Sequence, residues 1–150
     1  MKDYMYLALA TDDGMRSYAA ATTHLVEEAR QRHGTSPTAT VALGRALTAA
    51  TLMSGLLKVG QRVALKWERT GPLRKLVVEA DAKGRVRGYV AEPEVDLPLA
   101  DGDYDVAGAI GRAGLLTVVR DLLLVDLAEG TVHLASSDIS GDLAYFLEQS

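Results

Sequence analysis

Apolar and polar residues follow two periods along this chain, and the switches between them mark its elements. Tyr4 to Ala10 alternates with apolar side chains on both sides, Tyr4, Tyr6 and Ala8 on one and Met5, Leu7 and Leu9 on the other, which predicts a strand. Asp12-Asp13-Gly14 predicts a turn, since glycine takes a positive φ without steric cost. Met15 to Ala21 is the returning strand, so a hairpin opens the chain. Thr22 or Thr23 can cap a helix from about His24 to Arg32. Glu27 and Glu28 precede Arg30 and Arg32, the order that complements the helix dipole, and Gly34 stops the helix.

Ser36-Pro37 starts a second helix, serine suiting the N-cap and proline the first helical position. It is expected to run to about Lys58, roughly 33 Å at 1.5 Å per residue, with Gly60 ending it. Val41, Leu43, Leu47, Leu52, Met53, Leu56 and Leu57 are not confined to one stripe, and alanines fill most gaps. A helix apolar nearly all round must be covered on more than one side, which places it at the centre with layers above and below. Gly44 and Gly55 weaken the helix and imply close approach of a neighbouring backbone.

From Arg62 the period returns to two. Val63, Leu65 and Trp67 share one face of a strand over Arg62 to Arg69, with Arg62, Lys66 and Glu68 mainly outward. Thr70-Gly71-Pro72 is a turn, Leu76 to Ala80 a strand, Asp81 to Gly84 a hairpin connection, and Arg85 to Ala91 its return, Gly88 lying between Val86 and Val90. Glu92 to Asp103 is loop. Asp105 can cap a short helix over Val106 to Ile110. Leu115 to Asp121 and Thr131 to Ser136 are further strands, and Gly141-Asp142 leads into a helical pattern of Leu143, Ala144, Phe146 and Leu147. No internal repeat or linker divides the 150 residues, so the expectation is one α+β domain over 1–150.

Composition narrows the function. A domain of this length buries about 68–70% of its unfolded surface, enough for a core without staples. The net charge of −4 argues against nucleic-acid binding. The bases Arg62, Lys66, Arg69, Arg74, Lys75, Arg85 and Arg87 cluster in the meander, but an outer, solvated sheet face accounts for them. There is no cysteine, which removes disulfides, thiolate chemistry and cysteine-bound zinc. The start has no signal-peptide pattern, and the segment Ala39 to Leu57 is too interrupted for a membrane span. The expectation is a cytoplasmic protein without a membrane or nucleic-acid partner. His24, His33 and His133 fall in no metal-binding spacing, and no phosphate-binding loop, dinucleotide fingerprint or nucleophile elbow occurs. These absences point away from an enzyme.

The ordered elements resemble the N-terminal part of the Hsp33 family. They are the DG-turned hairpin followed by Arg16 and Tyr18, Thr22-Thr23, His33-Gly34-Thr35, Ser36-Pro37-Thr38-Ala39 and Ala42-Leu43-Gly44-Arg45. Leu57-Lys58, Gly71-Pro72, Gly88-Tyr89-Val90, Pro93 and Asp142-Leu143-Ala144-Tyr145-Phe146 follow in the same order. The resemblance implies a layered β/α/β fold with the apolar helix between sheet layers. It also implies an ATP-independent holdase that binds unfolded or aggregation-prone clients under oxidative or heat stress. Family members continue beyond the equivalent of Gln149-Ser150 into a module that holds zinc through four cysteines and releases it on oxidation. None of those ligands is here, so the expectation is a C-terminally truncated family domain with no cofactor and no redox switch. Strands left without a cover would invite a homodimer through strand or domain swapping.

A holdase works through exposed apolar surface. The candidates for client contact are Leu122, Leu123, Leu124 and Val125, which cannot all point inward from an extended strand, and the strand ends near Trp67. The alternative for the leucine run is a turn into a buried connection. The rival function is a small ligand-binding domain or enzyme using a pocket beneath the meander, which a deep cleft with convergent polar groups would mark.

Overall fold

The computed structural model describes residues 2–12, 14–68 and 71–150. Asp13, Arg69 and Thr70 lie outside them, so parts of two expected turns and one expected strand end are not described. Strands β1 (Tyr4–Leu9) and β2 (Arg16–Ala21) form an antiparallel hairpin in which Tyr4 faces Ala21 and Leu9 faces Arg16. Helices α1 (Thr23–His33) and α2 (Pro37–Ser54) follow. Strands β3 (Arg62–Glu68), β4 (Lys75–Asp81) and β5 (Val86–Val90) make the meander, helix α3 (Val106–Ile110) crosses, and strands β6 (Leu115–Asp121) and β7 (Ala128–His133) complete a second sheet. Its order is β5-β4-β3-β6-β7, every pairing antiparallel. Helix α4 (Ser140–Gln149) closes the chain.

The central position of α2 follows from its composition. Eleven of its residues are buried, among them Ala39, Ala42, Leu43, Ala46, Leu47, Ala50 and Met53. One side packs on β3, β4 and β5, while α1, α3, β2 and α4 cover the others. Gly88 lets the helix sit low over the sheet, because a Cβ there would lie 3.2 Å from the Leu47 side chain and 2.6 Å from Val78. At Gly44 the close neighbour is a side chain, Val26 at 2.9 Å from a built Cβ, rather than the expected backbone.

Both ends of α1 and α2 show local chemistry that the residue pattern only partly announces. Thr22 occupies the N-cap position of α1, but its hydroxyl pairs with Thr48 at 2.7 Å. The exposed N–H groups are taken instead by Asp3, whose two carboxylate oxygens accept from His24 (2.9 Å) and Leu25 (2.7 Å). Desolvation by the neighbouring backbone pushes the Asp3 carboxyl up, but these two N–H groups and nearby His24 more than offset it and hold it below its ordinary value. Gly34 ends the helix in the left-handed conformation, φ 61°. Ser36 likewise gives its hydroxyl to the Val95 carbonyl, and Asp96 accepts from the Thr38 N–H and hydroxyl at 3.2 and 2.9 Å.

Two boundaries differ from expectation. Helix α2 stops at Ser54, not Lys58, and Gly55 is its C-cap. In the last turns Thr48, Thr51 and Ser54 hydroxyls donate to backbone carbonyls of Gly44, Leu47 and Thr51, a competition that weakens helix continuation. The Tyr18 ring also sits where a side chain at position 55 would point, 2.5 Å from a built Cβ, and its hydroxyl donates to the Gly55 carbonyl at 3.3 Å. Strand β7 spans Ala128–His133 rather than Thr131 to Ser136. It cannot continue, because the N–H groups of Ala135, Ser136 and Ser137 all point to the Asp142 carboxylate. No helix among the described residues is long and apolar enough to cross a membrane.

Candidate functional site

Strand register brings distant loops to one end of the sheet. Arg62, the first residue of β3, stands opposite Asp81 at the end of β4 and Asp121 at the end of β6. The connection from α2 into β3 and the loop from β6 to β7 therefore emerge side by side. They touch: a Cβ built on Gly60 would lie 3.2 Å from Leu123 Cδ1, and Gln61 Nε2 donates to the Leu122 carbonyl at 3.3 Å. Asp121 accepts from the Leu123 N–H at 3.1 Å, and Leu123 takes a left-handed φ of 63°. That turn reverses the chain and throws the following side chains outward.

The leucine run is consequently split. Leu122 is half-buried, whereas Leu123, Leu124, Val125 and Leu127 are exposed, Leu124 at 70%. Leu56 and Val59 are exposed on the neighbouring connection, so six apolar side chains gather at this end of the molecule. The hairpin adds a second group. Tyr4, Met5, Tyr6, Leu7, Leu9 and Met15 are all exposed, and β1 is exposed along its whole length. The Tyr18 to Gly55 hydrogen bond ties this hairpin to the same end of α2. Sequence reasoning missed the hairpin as an apolar surface. The signal was present in a strand apolar on both alternating sides, which needs a cover on each face.

Trp67 is a correction. It was expected near the exposed strand ends, but it is 1% exposed, on the face of β3 turned toward the core. Its indole N–H donates to Asp142 Oδ2 at 3.3 Å. The alternation that put Val63, Leu65 and Trp67 on one face made that face the buried one, so Trp67 cannot contact a client in this conformation. The side of the meander where the rival function would need a pocket is filled by the same packing: Val63, Leu65, Trp67, Leu76, Val78 and Ala80 line it and are each at most 1% exposed.

The meander's outer face carries paired charges rather than a basic field. Arg62 and Arg87 both reach Glu79, at 3.7 and 3.4 Å, Arg85 meets Asp81 at 2.6 Å, and Lys66 meets Glu68 at 3.4 Å. His133 is exposed, and no group of three metal-ligating side chains occurs among the described residues.

A family model described as Hsp33 protein matches residues 3–150. The chain is 53% identical over 148 residues to the 33 kDa chaperonin of Geobacter sulfurreducens, covering 99% of this chain and 49% of that protein. It is 43% identical over 150 residues to the 33 kDa chaperonin of Staphylococcus carnosus, covering 99% of this chain and 51% of that one. The crystal structure of the 33 kDa chaperonin from Thermotoga maritima superimposes with a TM-score of 0.93 at 44% identity, over 97% of this chain and 50% of that one. The chain thus spans about half the length of the relatives it matches.

Proposed function

The chain belongs to the Hsp33 family, and on that premise we propose that it is an ATP-independent holdase. It binds unfolded or aggregation-prone proteins through the apolar end formed by Leu56, Val59 and Leu123 to Leu127. The observation that carries this reading is the outward turn at Leu123, which leaves Leu123, Leu124 and Val125 in solvent. Soluble monomers rarely expose large contiguous apolar patches without a binding role. Each apolar side chain that a client buries contributes about 1.5–3 kcal/mol, so a few contacts hold a chain without an energy source. Such contacts need no fixed polar geometry, which suits partners of varied sequence.

The test is suppression of the light scattering of a thermally unfolding enzyme. The chain is expected to suppress it, and the triple variant L123S/L124S/V125S to lose most of that effect at an unchanged melting temperature. Undiminished suppression by the folded variant would remove this patch from the reading. The chain has no cysteine, so suppression is expected to be equal with and without a thiol oxidant. A strong dependence on the oxidant would overturn unregulated holding by this chain.

The hairpin supports a second partner, another copy of the chain. A two-stranded ribbon is marginal alone, and β1 is uncovered along its length. Strand or domain exchange between copies would cover it, and the mass measured by light scattering is expected to rise toward that of a dimer with concentration.

A further inference from the structure

We propose that residues 135–149, the loop before α4 together with α4, form a strap that opens as a unit ahead of the sheet, and that Asp142 is its polar pin. Asp142 is fully buried. Its Oδ1 accepts from the backbone N–H of Ala135 (3.0 Å), Ser136 (3.0 Å) and Ser137 (2.9 Å). Its Oδ2 accepts from Ile139 N–H at 3.4 Å and from the Trp67 indole at 3.3 Å. One carboxylate therefore serves five donors, four within the strap and one on β3.

The backbone it holds is strained. Ser137 and Ile139 take left-handed φ values of 56° and 77°. A β-branched residue is a genuine outlier there, and such conformations persist only when their surroundings overdetermine them. Apart from the carboxylate, the strap is held by the Ser137 hydroxyl on the Gly111 carbonyl at 2.9 Å, by burial of Ile139 and Phe146 and by the partly buried Leu143 against the core. Phe146 lies over Gly130, whose built Cβ would be 2.8 Å from the ring. The opposite side of α4 is loosely covered. Leu143, Ala144 and Leu147 form one wall of a cleft of about 700 Å³ whose other wall includes Val26, Val41 and Leu52, and Leu147 is exposed. A segment pinned firmly at one carboxylate and packed weakly along one side is a natural unit of local opening. Opening would uncover Ile139, Phe146 and the face of β3 around Trp67, and so adds apolar surface in a graded way.

The substitution Asp142→Asn isolates the pin. An amide has one accepting oxygen and two donating hydrogens, so either the three loop N–H groups or the Ile139 and Trp67 N–H groups would face a donor. Unpaired buried donors carry a full desolvation penalty. In D142N, amide exchange over 135–149 is expected to rise at least tenfold while β3, β4 and β5 change less than threefold. Emission of the single tryptophan shifts to the red, and acrylamide quenches it more strongly. An equal rise across strap and meander, or no rise, would overturn the proposal. Should D142N fail to fold, exchange of the unaltered chain in rising urea decides the matter. The strap is expected to open at lower urea with a shallower slope than the meander, and joint opening refutes it. Neither readout involves a client, so the strap and the holdase reading fail separately.

Discussion

Leu65, in the middle of β3, and Leu124, in the loop after β6, carry the same side chain, yet one is wholly buried and the other is 70% exposed. The difference lies in backbone context. Leu65 sits in a regular antiparallel ladder between β4 and β6, where every second side chain is directed at α2. Leu124 follows a left-handed residue that ends the ladder and reverses the chain. The molecule thus has one region where apolar side chains hold the fold together and another where they do nothing for it. The second region can stay in solvent because the first is already closed without it.

Substitutions should separate the two regions by stability. Leu65→Ala removes a fully buried side chain between two strands and α2 and is expected to destabilise by about 2–5 kcal/mol in urea unfolding. Gly88→Ala forces a methyl against Val78 and the Val77 carbonyl, 2.6 and 2.7 Å from the built Cβ. It should cost about 1–3 kcal/mol and lift α2 from β5, seen as faster amide exchange in β5. Asp3→Ala removes the carboxylate that caps α1 and is expected to cost about 1 kcal/mol, with the hairpin as the segment that loosens.

The Asp3 effect has a predicted sign with pH. The Asp3 carboxyl is held below its ordinary 3.8 in the folded chain, so its stabilisation is complete above 3.8 and fades as the pH falls through the lower folded value. The gap between the unaltered chain and Asp3→Ala should therefore be full at pH 7 and close at strongly acid pH. Asp138 is shifted the same way, chiefly by the Ser136 hydroxyl, so the loop before α4 should also loosen on acidification. At the small end of the scale, L123S/L124S/V125S is expected to change stability by less than about 0.5 kcal/mol while removing most of the aggregation suppression. A loss of several kcal/mol from that variant would mean the loop serves the core after all.

Much of this contrast was legible in the residue pattern. The two-residue period put Val63, Leu65 and Trp67 on one face of β3, which is the buried one, and the spread of apolar positions around α2 required a helix covered on more than one side. Resemblance to a family supplied the function that no motif announced. What remained hidden depended on partners distant in sequence. Trp67 was misplaced because its strand's buried face was correctly identified but the strand's ends were imagined exposed. The end of α2 at Ser54 turned on the Tyr18 ring, 37 residues from Gly55, and the early stop of β7 turned on a carboxylate in the next helix. The exposure of Leu123 to Val125 required knowing that Leu123 adopts φ 63°, which side-chain chemistry does not announce for leucine.

The fastening of α2 at its first turn has a mechanical consequence. Thr38 and Ser36 are bound to the segment 93–97 by several hydrogen bonds, so that end of the rod is clamped to a loop that follows directly from β5. Its far end, where Ala50, Met53 and Ser54 are still buried, carries a further bond to Tyr18, on a hairpin that is itself largely in solvent. The rod is thus fastened at its two ends to segments remote from it in sequence, the loop after β5 and the opening hairpin. A displacement of either anchor therefore bears on the one helix around which the whole core is built.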